Sequence, residues 1–219
     1  MRALLIACDF DGTITRRDTL HVIVEAFGTR DVWTALEPRL RAGEITIEEA
    51  MEQEFRGVRA TREQVLEAVR ELAPIRAGFA ELVAWSEAAG HRVVVVSNGF
   101  RTVIDEVLGE AGLGRLDVAS HEAIFSPDGT RLVWSERGER CGLCGRRCKR
   151  YEIERRLRGE RLVYLGDGIS DRCVIRMADI AFARDGLAEH LRERDVPFLP
   201  FEDFHDVRRA LESMARDAA

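Results

Sequence analysis

Two carboxylates placed two residues apart are the first groups in this chain that could carry chemistry. Asp9 and Asp11 follow the apolar run Leu4–Cys8, which is typical of a buried central strand. Residues i and i+2 leave a strand on the same side, and two like charges held that close repel each other unless a cation or a shared proton compensates. The pair therefore indicates a bound metal ion, an acid/base pair that handles phosphate, or both. Gly12 lets the backbone approach a ligand.

A hydroxyl, an amide and a glycine follow a second apolar run. Ser97, Asn98 and Gly99 come directly after Val93–Val96. The Ser97 side chain and the backbone N–H groups of Asn98 and Gly99 are suited to holding phosphoryl oxygens, as turns of successive amides do. The alternative is an ordinary strand-to-helix turn with a capping serine. This segment alone does not decide between phosphate binding and helix capping.

A third apolar run ends in two more carboxylates. Asp167 and Asp171 follow Leu162–Leu165 and lie four residues apart, with glycines beside Asp167. Mg²⁺ takes oxygen ligands and often uses one or two protein carboxylates together with substrate phosphate. Asp167 and Asp9 are therefore candidate metal ligands, and Asp171 would either bind the metal directly or orient a water molecule.

Among 33 basic residues, Lys149 is the one lysine of the chain. An ammonium group is a compact point charge that fits beside a single phosphoryl oxygen or carboxylate, whereas arginine presents a wide planar fork. This position is therefore a candidate phosphate-binding residue. The alternative is a lysine on a solvated helix face.

The elements that must position these groups alternate between strand and helix. Strands are predicted over Ala3–Cys8, Val93–Val96, Leu116–Ala119, Leu162–Leu165 and Ile180–Ala183, and helices over Phe79–Ala89 and Val103–Gly112. This rhythm predicts an α/β fold, with a doubly wound, Rossmann-like parallel sheet covered on both faces. Sites in such sheets lie at the carboxyl ends of the strands. Residues 123–134 predict a hairpin around Pro127–Gly129.

One interval interrupts that rhythm with helices alone. Between about residues 18 and 72 helical spacing is present in Leu20–Phe27, Val32–Arg41, Thr46–Phe55 and Gln64–Leu72. Thr61 and Gln64 form a capping box at the start of the last one. We expect residues 16–74 to form a helical cap over the carboxyl end of the strand that precedes Asp9. Residues 1–15 and 75–219 would then form the core. The alternative is a packing appendage without ligand contact.

Composition and charge exclude two classes of protein. A formal charge of -6 argues against nucleic acid as the main partner, which would require a basic face. No apolar stretch approaches the roughly 20 residues that span a bilayer, and the chain begins without a cationic leader. We therefore expect a cytoplasmic enzyme or binding protein, and a homo-oligomer is compatible with the sequence.

Three clustered cysteines are candidate ligands of a zinc ion. Cys141, Cys144 and Cys148 offer three soft ligands, but structural zinc normally takes four. His121 and Cys173 are the candidates for a fourth ligand, and neither has a telling spacing. The alternative is free thiols on a loop beside the lysine, in a reducing compartment.

Taken together, these groups resemble the four motifs of the haloacid dehalogenase superfamily, in its phosphatase branch. The motifs are Asp9-Phe-Asp11-Gly-Thr13, Ser97, Lys149, and Gly166-Asp167 with Asp171. The helical insertion is similar to the cap of the phosphoserine-phosphatase-like subfamily. The resemblance covers nearly the whole chain and implies a phosphoric monoester hydrolase acting on a small phosphorylated metabolite.

The resemblance also implies a role for each motif residue. Asp9 would be the nucleophile that forms an aspartyl-phosphate, and Asp11 would protonate the leaving oxygen and then activate water. Ser97 and Lys149 would hold the phosphoryl group. The implied cofactor is Mg²⁺, bound by the Asp9 side chain, the Asp11 carbonyl and Asp167, with support from Asp171.

A closer resemblance, to the methionine-salvage phosphatases, implies the substrate 2-hydroxy-3-keto-5-methylthiopentenyl-1-phosphate. It is carried by the cysteine-rich run before the lysine and by Ile14-Thr15, Trp33–Leu36, Ile45–Ile47, Phe182–Asp185 and Leu199–Phe204. Asn98 and Arg16-Arg17 depart from the pattern of that group. One alternative is phosphoserine or another small phosphate, with Asp18 binding an amine and an arginine such as Arg56 binding a carboxylate. Another is a non-catalytic binding protein on the same scaffold.

Overall fold

The computed structural model describes residues 3–29, 31–135, 141–145 and 148–217 of the chain. Within these residues seven strands form one sheet: β1 Leu4–Cys8, β2 Arg92–Phe100, β3 Asp117–Ile124, β4 Arg131–Val133, β5 Arg161–Gly166, β6 Ile180–Ala183 and β7 Leu199–Pro200. Their order across the sheet is β4-β3-β2-β1-β5-β6-β7. β4 runs antiparallel to β3, and the other neighbouring pairs are parallel.

The five predicted parallel strands are all present, but β2 continues past its predicted end at Val96 to Phe100, and β3 continues past Ala119 to Ile124. The predicted hairpin is confirmed, since Glu122 of β3 pairs with Val133 of β4. β7 was not predicted, because its two residues are too few to show an alternating pattern. The cysteine-rich run includes residues 146 and 147, which lie outside the described part of the chain, as do the predicted domain ends at residues 1 and 219.

Nine α-helices are present in the described residues: α1 Thr19–Phe27, α2 Val32–Ala42, α3 Ile47–Phe55, α4 Arg62–Leu72, α5 Phe79–Ala88, α6 Arg101–Glu110, α7 Arg150–Glu154, α8 Asp185–Arg192 and α9 Phe204–Asp217. Several begin at side chains that accept the free N–H groups of a first helical turn. Asp18 accepts from the backbone N–H groups of Leu20 and His21. The capping box predicted at Thr61 and Gln64 is formed.

The sheet buries side chains on both faces. Leu4 and Ile6 of β1 pack into one apolar cluster with residues of α5, α6 and α9. Leu5 and Ala7 of the same strand pack into another cluster, with residues of α7 and α8. Neighbouring residues of a strand point to opposite faces, so this split explains why β1 has no polar residue. The predicted doubly wound α/β fold is confirmed.

The four predicted helices between β1 and α5 are here called the inserted helices (α1–α4). Residues of α1, α3 and α4 share an apolar cluster with residues of β2, β3 and α6, and α2 packs with α3 in a smaller cluster. The larger cluster reaches the sheet through Phe55 of α3, whose ring lies edge-on to Phe100 of β2 at a centroid distance of 4.9 Å. The two connecting segments run side by side, since Thr15 and Ile75 form an antiparallel bridge. The division into a core and a cap at residues 16 and 74 stays a prediction.

Among the described residues no helix is long and apolar enough to cross a membrane.

Truncating the contact between the inserted helices and the sheet should destabilise the protein. Phe55 is 1% exposed, so Phe55→Ala removes a buried ring and should lower the free energy of unfolding by about 3–5 kcal/mol. Leu72→Ala is the control, because Leu72 is 39% exposed and a surface change of this kind costs about 0.5 kcal/mol or less. Urea unfolding measures both; equal losses in the two variants would contradict this packing.

Candidate active site

The register of three parallel strands places the first carboxylate at the centre of the carboxyl edge. Cys8, the last residue of β1, pairs with Val95 of β2 and Leu165 of β5. The Asp9 N–H then donates to the Leu165 carbonyl at 2.9 Å. The residues that follow the neighbouring strand positions, Ser97 and Asp167, therefore reach the same edge as Asp9.

The turn after β1 brings its backbone close to Asp167. Gly12 has φ +77°, and a Cβ at this position would lie 2.5 Å from Asp167 Oδ2. Thr13 donates from its hydroxyl to Asp167 Oδ1 at 2.8 Å. A side chain at position 12 would be strained by the positive φ and would also displace the carboxylate.

Arg76 holds this turn through hydrogen bonds to its backbone. This role was not predicted from the sequence. Its guanidinium donates to the carbonyl oxygens of Gly12 at 2.8 Å, Thr13 at 3.0 Å and Thr15 at 3.2 Å. Burial, followed by the charge of Arg184, lowers the pKa of Arg76 to about 10, so it remains charged at neutral pH. Its partners are backbone atoms, which leave no pattern in the sequence.

The Asp11 carboxylate contacts Thr19, the first residue of α1, and Ser97, near the end of β2. It accepts from the Ser97 hydroxyl at 3.0 Å and from the Thr19 N–H at 3.1 Å, and the Thr19 hydroxyl donates to it as well. Burial raises the pKa of Asp11 to about 6, with a smaller contribution from the charge of Asp18, while the hydrogen bonds lower it. A carboxyl with such a pKa can both give and take a proton near neutral pH.

The end of β2 brings its hydroxyl to the site but uses one of its amides internally. Ser97 is fully buried, and the Gly99 N–H donates to Ser97 Oγ at 2.7 Å. A Cβ at Gly99 would lie 2.5 Å from Asp11 Oδ2, so the close approach requires glycine. Asn98 lines the cavity described below. The phosphate-binding roles of Ser97, Asn98 and Gly99 stay predictions.

Lys149 is buried between two carboxylates. It is 1% exposed, and its Nζ lies 2.5 Å from Asp9 Oδ1 and 2.8 Å from Asp171 Oδ1. Desolvation lowers the pKa of Lys149, but the charges of Asp171 and Asp9 more than offset it and the net shift is upward. The alternative of a solvated helix face is wrong for this residue.

Asp171 is saturated with hydrogen-bond donors. Besides Lys149, the Tyr164 hydroxyl donates to Oδ1 at 2.6 Å, and the N–H groups of Asp167 and Gly168 donate to Oδ2 at 3.2 and 3.1 Å. Tyr164 was missed in the sequence because it lies in an apolar strand and has the size of a core residue. These donors hold the Asp171 carboxylate in one position, and it can therefore position Lys149.

The cluster carries more negative than positive charge, and its donor set fits Mg²⁺. Oxygens of Asp9, Asp167 and Asp171 lie within 4.8 Å of one another, with one ammonium group between two of them. Desolvation, and next the charge of Asp171, raises the pKa of Asp9 well above its usual value and that of Asp167 to about 7. Like charges at this distance favour a bound cation, and hard divalent ions take carboxylate oxygens.

Comparison with known proteins decides the family. A family model described as "haloacid dehalogenase-like hydrolase" matches residues 6–176. The chain belongs to the haloacid dehalogenase-like hydrolases. It is a phosphatase of that family, a phosphoric monoester hydrolase. The family resemblance stated from the motifs is confirmed.

Two relatives of this hydrolase match over nearly their whole length. A 2-hydroxy-3-keto-5-methylthiopentenyl-1-phosphate phosphatase of Brevibacillus brevis is 27% identical, over 99% of this chain and 98% of its own length. One from Geobacillus kaustophilus is 30% identical, over 97% of each chain. A solved structure described as a phospho-aspartyl intermediate analogue of phosphoserine phosphatase has a TM-score of 0.73 at 20% identity, covering 97% of this chain and 99% of its own. The last comparison shows the fold.

A cavity of about 330 Å³ opens onto the carboxylates of this hydrolase. One side is formed by the sheet edge, including Asp9, Asp11, Asn98 and Asp167. The other side is formed by the inserted helices, where the charged residues Glu37, Arg41 and Glu54 lie beside the apolar residues Leu20, Trp33, Leu40, Ile47, Ala50 and Met51. The site is therefore shared between the two parts of the chain.

The two residues suggested for binding an amine and a carboxylate, Asp18 and Arg56, lie in different places. Asp18 lines this cavity, although its Oδ1 caps α1. Arg56 instead lines a separate groove with Arg59 and Gly129. Arg56 is therefore not placed to bind a substrate carboxylate in this cavity.

Removing the buried ammonium should disable the hydrolase. Lys149→Met keeps the length of the side chain but leaves Asp9 and Asp171 without their shared cation, so kcat for p-nitrophenyl phosphate should fall about 10²–10³-fold. Lys149→Arg should not restore it, because the buried site holds a point charge and not a planar fork. Arg115→Met is the control, since Arg115 pairs with Glu87 at the surface. A Lys149→Met enzyme with wild-type kcat would contradict this role.

Proposed function

We propose that the protein is a Mg²⁺-dependent phosphatase that works through an aspartyl-phosphate and acts on 2-hydroxy-3-keto-5-methylthiopentenyl-1-phosphate. The observation that carries the proposal is the cavity that joins Asp9 to an apolar wall on the inserted helices. Relatives that bear the name of this activity match over almost their full length, which supports the same substrate here.

In the first step, Asp9 attacks phosphorus and the ester bond breaks. Lys149 holds Asp9 Oδ1 at 2.5 Å, which orients Oδ2 as the attacking atom. A bond forms between Oδ2 and phosphorus while the bond between phosphorus and the leaving oxygen breaks. Asp11 delivers its proton to that oxygen, and its raised pKa keeps a protonated fraction available near neutral pH.

In the second step, water attacks the phosphorus of the aspartyl-phosphate. Asp11, now deprotonated, accepts a proton from the water, the bond from phosphorus to Asp9 breaks, and inorganic phosphate leaves. Splitting the reaction at a carboxylate replaces one difficult displacement by two easier ones. Ser97 and Lys149 bind the phosphoryl oxygens in both steps, with the Asn98 and Gly99 backbone beside them.

The metal-binding residues in this proposal are Asp9, the carbonyl of Asp11 and Asp167, with Asp171 in support. Mg²⁺ bound there would neutralise the phosphoryl oxygens, which is the main requirement of phosphoryl transfer. The fit rests on the clustered oxygens of Asp9, Asp167 and Asp171.

Residues 16–74 act as a cap in this proposal, and residues 1–15 and 75–219 as the catalytic core. The paired segments at Thr15 and Ile75 connect the two parts, so a small rotation there would open or close the cavity. Closure would exclude water until the phosphoryl group has reached Asp9. A cytoplasmic location and a homo-oligomer remain predictions.

The apolar wall suits a thioether tail. Trp33, Leu40 and Met51 come from α2 and α3 and face the same cavity as Asp9. A methylthio group gains free energy from leaving water for such a surface, at about 0.8 kcal/mol for each buried CH₂. A substrate with a phosphate at one end and an apolar tail at the other matches this division.

A second candidate is a substrate with an amine and a carboxylate, such as phosphoserine. Arg172 lines the cavity, and its Nε is buried with no hydrogen-bond partner among the described residues. Glu54 also lines the cavity, and burial, with a smaller contribution from Asp18, raises its pKa to about 7. These groups could bind a carboxylate and an amine, so phosphoserine belongs in any substrate panel.

Phosphate release from a substrate panel tests the activity and the choice of substrate. With Mg²⁺, we expect kcat/KM for the methylthio-enol phosphate to exceed that for phosphoserine and sugar phosphates, and Asp9→Asn to abolish release, because it removes the nucleophile. Preference for phosphoserine would establish the second candidate, and no Asp9-dependent release would leave only the binding-protein alternative.

Trapping the intermediate tests the mechanism separately. Asp11→Asn cannot activate water, and p-nitrophenyl phosphate has a leaving group that needs no proton from Asp11. With that substrate, a rapid acid quench should therefore find a phosphoryl group on Asp9 by peptide mass spectrometry. The double variant with Asp9→Asn is the control and should carry none. A phosphoryl group on another residue would falsify the assignment of Asp9.

Truncating the apolar wall should weaken binding of the tail alone. Trp33→Ala should raise KM for the methylthio substrate about tenfold or more, since one lost apolar contact costs about 1–3 kcal/mol. KM for glycerol phosphate, which has no tail, should not change. Trp134→Ala is the matched control, because Trp134 contacts His121 and Glu52 outside the cavity. Equal effects of Trp33→Ala on both substrates would contradict the wall.

A further inference from the structure

Four thiols from two distant segments meet beside the active site. Cys141, Cys144 and Cys148 precede α7, and Cys173 follows β5 by several residues. Their four sulfur atoms lie within 4.8 Å of one another. The spacing in the sequence supplied three of these ligands and gave no reason to choose Cys173 over His121. In the fold, His121 instead contacts Ser135 and Trp134.

The distances fit a metal tetrathiolate and not a disulfide. Cys141 Sγ and Cys173 Sγ are 3.5 Å apart, well beyond a covalent S–S bond of about 2.05 Å. None of these four cysteines forms a disulfide. Tetrahedral zinc with Zn–S bonds of about 2.3 Å separates its sulfur ligands by about 3.8 Å, which lies within the observed spread. A four-iron cluster would hold its cysteine sulfurs much further apart.

The backbone around Cys141 is folded as a ligand-binding turn. The Gly145 N–H donates to the Cys141 carbonyl at 2.8 Å, and Gly145 has φ +66°, which favours glycine. The Leu143 N–H points at Cys141 Sγ at 3.4 Å. The sulfur atoms of Cys141 and Cys144 lie close together, and the N–H donor beside Cys141 Sγ would stabilise a metal-bound thiolate.

We propose that Cys141, Cys144, Cys148 and Cys173 bind one structural Zn²⁺. Four sulfur ligands in one cluster close the coordination shell, so the site has no open position for catalysis. Soft thiolate ligands select zinc over the hard Mg²⁺ that suits the carboxylate cluster. The two metal sites of the chain are therefore separated by their donor atoms.

The zinc site would position the charge pair at the centre of the active site. Cys148 directly precedes Lys149, and Cys173 follows Asp171 by two residues. Lys149 Nζ and Asp171 Oδ1 are 2.8 Å apart. Zinc bonds to both cysteines fix the two segments to each other next to this contact.

Metal content tests the site without reference to activity. Protein purified under reducing conditions and analysed by mass spectrometry for metals should hold about one zinc per chain. Cys173→Ser should lose most of it. Cys8→Ala is the matched control, since Cys8 is buried in β1 away from the cluster, and it should keep the metal. Zinc-free wild-type protein that also fails to bind added Zn²⁺, or a Cys173→Ser variant that retains zinc fully, would overturn the proposal.

A spectrum of the wild-type chain covers the case in which the variant does not fold. Replacing zinc by Co²⁺ should give the sulfur-to-metal charge-transfer band and the intense visible bands of a tetrahedral thiolate site. Cobalt bands typical of oxygen ligands, iron in place of zinc, or a disulfide among the four cysteines found by mass spectrometry would each overturn the assignment.

Zinc removal from the Lys149→Met variant tests the positioning role. If zinc acts through Lys149, removing zinc with a chelator and then assaying in excess Mg²⁺ should lower kcat for p-nitrophenyl phosphate in the wild-type enzyme and have little further effect in Lys149→Met. Equal fold losses in the two proteins would show that zinc supports the fold generally and would overturn the positioning role. This comparison uses a non-specific substrate, so it stands whichever metabolite the enzyme prefers.

Discussion

The buried ion pair of Lys149 with Asp9 and Asp171 is the interaction on which the rest of the site depends. A charge taken out of water is stable only if partners surround it, and removing one partner of a buried pair typically costs about 3–5 kcal/mol. One ammonium cannot balance three clustered carboxylates, so Asp167 adds a charge that a cation must meet. The same excess that makes the empty cluster costly gives it affinity for Mg²⁺ and a phosphoryl group.

The sheet creates this cluster by register. Because Cys8 pairs with both Val95 and Leu165, the residues that follow three strands arrive at one edge in a fixed order. Glycines then allow the side chains to approach, since a Cβ at Gly12 or Gly99 would strike a site carboxylate. Arg76 and Tyr164 finish the arrangement by holding a turn and a carboxylate in place. The positions of the site carboxylates are thus fixed by the strand ends and by a few supporting residues.

The sequence allowed most of the fold and the motif residues to be predicted, because buried strands and amphipathic helices leave periodic patterns. The supporting contacts left none. Arg76 binds carbonyl oxygens, so its partners have no side-chain signature, and Tyr164 looks like any large core residue of a strand. The meeting of Cys141 with Cys173, 32 residues later, depends on how β5 and α7 pack. The position of Arg56 on a separate groove could not be predicted, because the side of a helix that faces a cavity is set by tertiary packing.

Thermal unfolding with and without Mg²⁺ tests the central claim most directly, namely that the carboxylate cluster carries unbalanced charge that a divalent cation stabilises. Binding to the native state alone raises stability, so Tm of the wild type should rise with Mg²⁺. Asp167→Asn removes one charge of the cluster, so it should raise Tm in the absence of metal and abolish the response to Mg²⁺. A wild-type Tm that ignores Mg²⁺, or an Asp167→Asn variant that responds as the wild type does, would contradict the account.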